Sequence, residues 1–404
     1  MESVINTLHI QNFKSIRSAL LHPRRVNLVI GQPNVGKSTL LEAMSLLGSV
    51  PYEQKKQFLG SFVRYDKPRQ LFHDNLTANT IKVETDRDLC LLGKSAQGPG
   101  YRYASFSQEA YRELRTQMGT PLAGGQLSRP GDDGALLDRL PTFLTRAALL
   151  PQPGYYYTEL DKRGHAGLAA PAEGRYLSSG SPWYPQAVKA YRFRSKTPLA
   201  AARPGAALYP PYGDNLVRVL ENNAELRREF AGLFAAHGLT LRVRVDAGRL
   251  EIAKDLDGLS YVYPYAGTGD AIRRHGFLLA LLESNRKAII LLEEPEAHAY
   301  PPYVAELARR VVASEGNQFF LTTAPTCSRK SLRTWCPSKT GPWNWPCSWP
   351  TTKTTKPRCA SSPTRNCATC RTTPLAPSAA SATGPRKRCG GRSANRFARR
   401  SPAG

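Results

Sequence analysis

Val26-Asn27-Leu28-Val29-Ile30-Gly31-Gln32-Pro33-Asn34-Val35-Gly36-Lys37-Ser38 is the stretch whose reading decides the fold. Its first five residues form an apolar run bounded by Arg24-Arg25 and Gly31, the pattern of a short strand buried in a parallel sheet. Leu40, Leu41, Met44 and Leu47 then recur on one helical face, so a helix opens at the end of the glycine-containing loop. Strand, loop and helix in this order predict an α/β fold.

The loop has the G-x-x-x-x-G-K-S form of a P-loop, and each residue type has a chemical reason. Gly31 and Gly36 permit backbone conformations that a Cβ would obstruct, so that successive N–H groups can turn inward toward phosphates. Lys37 supplies a point charge for the β- and γ-phosphates, Ser38 a hydroxyl for Mg²⁺, and Thr39 a contact to the α-phosphate. The helix N-terminus adds its dipole toward the anion. The expected nucleotide-binding set is Gly31, Asn34, Gly36, Lys37, Ser38 and Thr39, with ATP and Mg²⁺ as cofactors. The bland alternative is a glycine-rich turn, which a complete motif placed between strand and helix disfavours.

Lys287-Ala288-Ile289-Ile290-Leu291-Leu292-Glu293-Glu294 is a second apolar run and ends in paired carboxylates, the Walker B form. One carboxylate is needed in the Mg²⁺ shell, for which Glu293 is the candidate. Another is needed to orient and deprotonate water, for which Glu294 is the candidate, with Lys37 as its catalytic partner on the phosphate. Alone, such a pair is common at the solvent end of a strand; the P-loop gives it meaning. A helix over Tyr303 to Ala313 and a strand over Asn317 to Thr323 complete a strand-helix-strand unit.

Leu8-His9-Ile10-Gln11-Asn12-Phe13-Lys14-Ser15-Ile16, the P-loop, Leu291 to His298 and Gln318 to Thr323 together resemble the ABC-type ATPases. The resemblance is to the RecF, SMC and OLD-like branch of AAA-family ATPases, and it covers roughly residues 1 to 95 and 215 to 323. It implies an ATPase head that dimerises over two nucleotides, in DNA repair or antiviral (anti-phage) defence beside a nuclease or other effector. In that family a Ser-Gly signature of the opposing subunit meets the γ-phosphate. The degenerate counterpart here is Tyr265-Ala266-Gly267-Thr268-Gly269-Asp270, with Arg273 and Arg274 near it, and a plain turn before a helix over Ala271 to Leu282 explains it equally well. The resemblance also places His298 at the dimer interface; the alternative is a surface histidine capping the next helix. The family's switch histidine follows the last strand as Thr-Thr-His, whereas this chain has Thr322-Thr323-Ala324.

That departure coincides with a change in composition. The chain has a formal net charge of +25. Residues 316 to 404 hold 16 Lys and Arg and no acid, leaving residues 1 to 315 only mildly basic at +9. Seven of the eight cysteines and four of the five tryptophans also lie in the tail, without hydrophobic period. For Ala324 to Lys356 synonymous codons exist that, read in another frame, give a sequence with acidic residues, and restoring four deleted bases, CACA, places a histidine directly after Thr323. The tail from 324 is therefore expected to be out of frame and irregular, which would leave nucleotide binding intact and impair hydrolysis. The competing readings are a basic tail that binds polyanions and a zinc site at Cys367 and Cys370, which lacks a second ligand pair.

No run of about 18 apolar residues occurs, so no membrane association and a cytoplasmic location are expected. The expected plan is an N-terminal lobe over 1–95, an insertion over 96–214, a C-terminal lobe over 215–323 and the basic tail over 324–404. The insertion is rich in Pro, Gly and Tyr, with helices around Ser107 to Met118 and Ala135 to Ala148 and no long heptad run. Its basic-aromatic piece Tyr191-Arg192-Phe193-Arg194-Ser195-Lys196 fits base stacking on DNA or an ordinary edge strand. A helix from Asn215 to His237 should lead into a hairpin around Asp246-Ala247-Gly248. The functional expectation is an ATP hydrolase acting as a homodimer. Its rival is a nucleotide-gated binding or scaffold protein with little turnover, favoured by the missing histidine, and a transport-coupled ABC ATPase stands further off.

Overall fold

The structure is a computed structural model and describes residues 4–48, 62–117, 132–146, 155–164, 188–195, 205–245 and 247–323. The tail readings at Ala324, Cys367 and Cys370 lie outside the described residues, as do Lys196 and the ends of both expected insertion helices at Met118 and Ala148. Among the described residues no helix is long and apolar enough to cross a membrane.

The architecture is mixed α/β with a strand, a glycine loop and a helix where the first motif requires them. A six-stranded antiparallel sheet is built from β1 (Leu8–Phe13), β2 (Ile16–Leu21), β4 (Ile81–Thr85), β5 (Asp88–Lys94), β6 (Tyr101–Ser107) and β7 (Tyr155–Leu160), in the order β2-β1-β4-β5-β6-β7. A four-stranded parallel sheet contains β3 (Val26–Ile30), β8 (Val188–Tyr191), β12 (Ile289–Glu293) and β13 (Gln318–Thr323), in the order β3-β13-β12-β8. A small antiparallel sheet joins β9 (Thr240–Arg244), β10 (Arg249–Leu256) and β11 (Leu259–Pro264). Segment 96–214 thus contributes β6 and β7 to the first sheet and β8 to the edge of the second.

Alternation along the parallel strands explains the layering, because successive side chains leave a strand on opposite faces. Ile289, Leu291 and Phe320 pack with α1 (Lys37–Ser45) and the inner face of the antiparallel sheet. Ile290, Leu292, Phe319 and Leu321 pack on the other side with α4 (Leu216–Asn222), α5 (Ala224–Ala235), α6 (Asp270–Ser284) and α7 (Pro301–Ala313). The P-loop helix α1 is accordingly enclosed between two sheets, and Leu40, Leu41, Ala43 and Met44 are all buried. Leu89 and Leu91 of β5 face a third cluster with α2 (Gln108–Gln117) and α3 (Asp132–Arg146), while Cys90 and Leu92 face α1's side. A strand buried on both faces reads as an unbroken apolar run, as Leu89-Cys90-Leu91-Leu92 does.

Two expectations change in detail. The helix read from Asn215 to His237 is two helices, since the Asn223 side chain accepts a hydrogen bond from the Leu226 N–H at 3.0 Å and starts α5 afresh. The expected hairpin gains a third strand, β11, all of whose residues are exposed.

Candidate functional site

The loop between β3 and α1 turns on two left-handed residues, Asn34 (φ 63°) and Gly36 (φ 90°). Gly36 is the N-cap of α1, and its φ is one that a Cβ strains. At Gly31 the restriction is spatial, because an added Cβ would lie 2.8 Å from Val35 Cγ2. Lys37 is buried, 8% exposed, and its Nζ donates to the Gly31 carbonyl at 2.7 Å and the Gln32 carbonyl at 2.9 Å. The ammonium is therefore folded into the loop it serves, while Ser38 and Thr39 are half-buried at the start of α1.

Parallel pairing brings the second motif to the same place. Because β13 lies between β3 and β12, the C-terminal ends of all three strands meet at the loop. The Ser38 hydroxyl donates to the Glu293 carboxylate across 255 positions of sequence. The same carboxylate accepts from Arg64 Nη2 at 3.0 Å and from Arg192. Burial alone would raise the Glu293 pKa, but the Ser38 hydroxyl and the two guanidiniums outweigh it and hold the group below the ordinary carboxylate range. Glu293 is therefore an anion at neutral pH.

Glu294 follows in a left-handed conformation (φ 44°), which ends β12 and turns the chain. Its N–H donates to the Thr322 carbonyl at 3.1 Å and to Thr322 Oγ1 at 3.2 Å, fixing it against the end of β13. Thr323, the last described residue, donates its hydroxyl to Glu296.

Sequence reading overlooked a group of charges behind this site. Glu42 on α1 is buried, 2% exposed, and pairs with Lys14 Nζ at 2.5 Å and Arg64 Nε at 2.8 Å. Lys14 also donates to the Arg64 carbonyl at 2.6 Å, so the β1–β2 turn, α1 and residue 64 are held as one unit. Arg192 stacks over Phe62 at 5.2 Å as it reaches Glu293. It belongs to the basic-aromatic piece Tyr191 to Lys196, of whose described residues only Tyr191 lies in the edge strand β8 beside β12. No local pattern marks Arg64.

The other candidates are held by contacts of their own. Tyr265–Gly267 forms a single 3-10 turn and Gly269 caps α6 without a side-chain bond. Arg273 is turned onto Asp270 and the Ser195 carbonyl. His298 is exposed with φ 56°, and α7 has Tyr300 as its N-cap with no side-chain cap bond, so His298 is not capping it.

No protein-family model matches the chain, and no curated protein matches it. Among solved structures, the chain is similar to an SMC head bound to the C-winged helix domain of ScpA, at 13% identity over 79% of this chain and 90% of that one, with a TM-score of 0.36. It is also similar to the SMC head domain from Thermotoga maritima, at 11% identity over 81% and 91% of the two chains, with a TM-score of 0.31. At these scores neither likeness carries weight, and the functional reading rests on the chain's own geometry.

The donor set fits a magnesium nucleotide. Mg²⁺ takes hard oxygen ligands and is commonly held by one or two protein oxygens together with phosphates and water, which Ser38 and Glu293 suit. Among the described residues there is no cluster of three or more His, Cys, Asp or Glu that would hold a metal without phosphates. The left-handed loop would offer backbone N–H groups to phosphates, and Lys37 a positive charge.

Proposed function

We propose that the chain is an ATP-binding ATPase head. The observation that carries this reading is the hydrogen bond between Ser38 and Glu293, which joins the end of the P-loop to the end of the Walker B strand. When bound, Mg²⁺·ATP supplies an electrophilic γ-phosphoryl group with its charge partly neutralised by the metal. Gly31, Asn34, Gly36, Lys37, Ser38 and Thr39 would hold the phosphates, with Ser38 and Glu293 toward the metal. Lys37 would exchange its two loop carbonyls for phosphate oxygens. Glu294, which follows Glu293 at the end of β12, would take the proton of the attacking water.

The motif resemblance supports a homodimer of heads working with a nuclease or other effector on DNA, in repair or antiviral defence. The lobe plan of 1–95, 96–214 and 215–323, with an out-of-frame tail over 324–404, is part of this proposal. Ala324 in place of a switch histidine supports the second reading, a nucleotide-gated binding protein with little turnover.

Steady-state ATP turnover of the full chain, with and without DNA, compared with Glu294→Gln, separates the two. An ATPase loses about a hundredfold or more of its rate in the variant. A rate already at background in the unsubstituted chain, with ATP still bound, supports the nucleotide-gated reading. A rate above background that Glu294→Gln leaves unchanged contradicts the assignment of Glu294.

A further inference from the structure

A cavity of about 520 Å³ lies between the segment that follows β8, the three-stranded sheet and the start of α6. The P-loop does not contribute to it. Its walls combine aromatic faces and cations: Phe193, Arg194, Tyr212, Arg249, Tyr265 and Arg273 all line it. Arg194 lies over the Tyr212 ring at 5.5 Å, and the Phe193 ring meets Phe277 edge-on at 5.9 Å, so the lining residues brace one another. The one carboxylate on the wall, Glu251, is paired with Arg244 at 3.2 Å, which leaves the lining with a net positive charge.

Arg273 adds a second, independent observation. It is only 8% exposed, and two of its guanidinium nitrogens are occupied by Asp270 and the Ser195 carbonyl. Its Nε is buried and without a hydrogen-bond partner. Buried donors are nearly always paired in folded proteins, so this unmatched nitrogen stands out in a residue that lines the cavity. Aromatic faces favour a flat π-system, and arginines at its edge favour an anion.

We propose that this cavity binds a small ligand that joins a planar aromatic ring to one anionic group. The ring stacks among Tyr212, Phe193 and Tyr265, and the anion meets Arg249 and the guanidinium of Arg273. The chemistry is shared by nucleoside monophosphates and aromatic carboxylic acids. It does not depend on the P-loop being an ATP site.

The test is calorimetric titration of the full-length Lys37→Ala chain, which lacks the P-loop cation, with adenosine monophosphate and separately with indole-3-acetate. At least one probe should bind with a Kd below about 1 mM. Arg249→Glu, an exposed position, should weaken that binding by about tenfold or more. Arg273→Gln should do the same, with circular dichroism confirming that the fold persists. Binding of the nucleotide alone assigns a phosphate ester as the ligand; binding of both assigns aromatic anions generally. Failure of both probes to bind, or binding that Arg249→Glu leaves unchanged, overturns the proposal.

Discussion

Ser38 and Glu293 share a hydrogen bond although 255 positions separate them, and that contact converts two short motifs into one site. Its electrostatics give a pH prediction. Glu293 is held below its ordinary value of 4.5 by Ser38, Arg192 and Arg64 against the opposing effect of burial. A carboxyl depressed in the folded state contributes stability that is present above its unfolded pKa and is lost as pH falls through the folded one. Glu293→Gln should therefore be less stable than the unsubstituted chain at pH 7, with the difference shrinking as pH falls below 4.5. Urea midpoints measured from pH 7 downward check this, and a difference that stays constant with pH contradicts it. The motif residues were legible because the chemistry restricts which types serve: a glycine loop with Lys37-Ser38, and acids ending an apolar run. Arg64 and Arg192 were not, because a cation that reaches a carboxylate across the fold leaves no mark on its own sequence neighbourhood.

At the scale of elements, apolar runs with clear boundaries gave the parallel strands. Val26–Ile30 is bounded by arginines and glycine, and Ile289–Glu293 by a charged turn and acids. The β11 strand escaped because its side chains are exposed and no core pattern announces it; the signal present was Asp257-Gly258, whose left-handed pair (φ 51° and 80°) is suited to a hairpin turn. Asn223 similarly announces the break between α4 and α5. Packing between elements is tightest at Gly48, just beyond α1, where an added Cβ would lie 2.2 Å from the Val188 carbonyl oxygen. That atom is backbone of β8, the strand that delivers Arg192, so it cannot swing aside. Gly48→Ala should destabilise the chain by about 1–3 kcal/mol, the usual range for overpacking. Thermal or urea unfolding reads the effect, and an unchanged midpoint contradicts the close approach.

On the scale of the whole molecule, the layers explain why distant segments are needed together. Alpha-helix α1 lies between the antiparallel and parallel sheets, so the helix that follows the P-loop is held in the core that both sheets share. If two heads close over two nucleotides, a variant that retains ATP should accumulate as a dimer. Sedimentation of Glu294→Gln with Mg²⁺·ATP is expected to show a shift toward twice the monomer mass that Lys37→Ala does not show. A monomer in both contradicts the head-dimer reading while leaving nucleotide binding untouched. The central claim, that loop and strand form one magnesium-nucleotide site, is tested most directly by the affinity of the full chain for ATP with and without Mg²⁺, compared with Lys37→Ala. The account predicts Mg²⁺-strengthened binding that Lys37→Ala weakens by about a hundredfold, as expected for losing a buried charge-assisted contact. Equal affinity in the two chains, or no ATP binding by either, would contradict it.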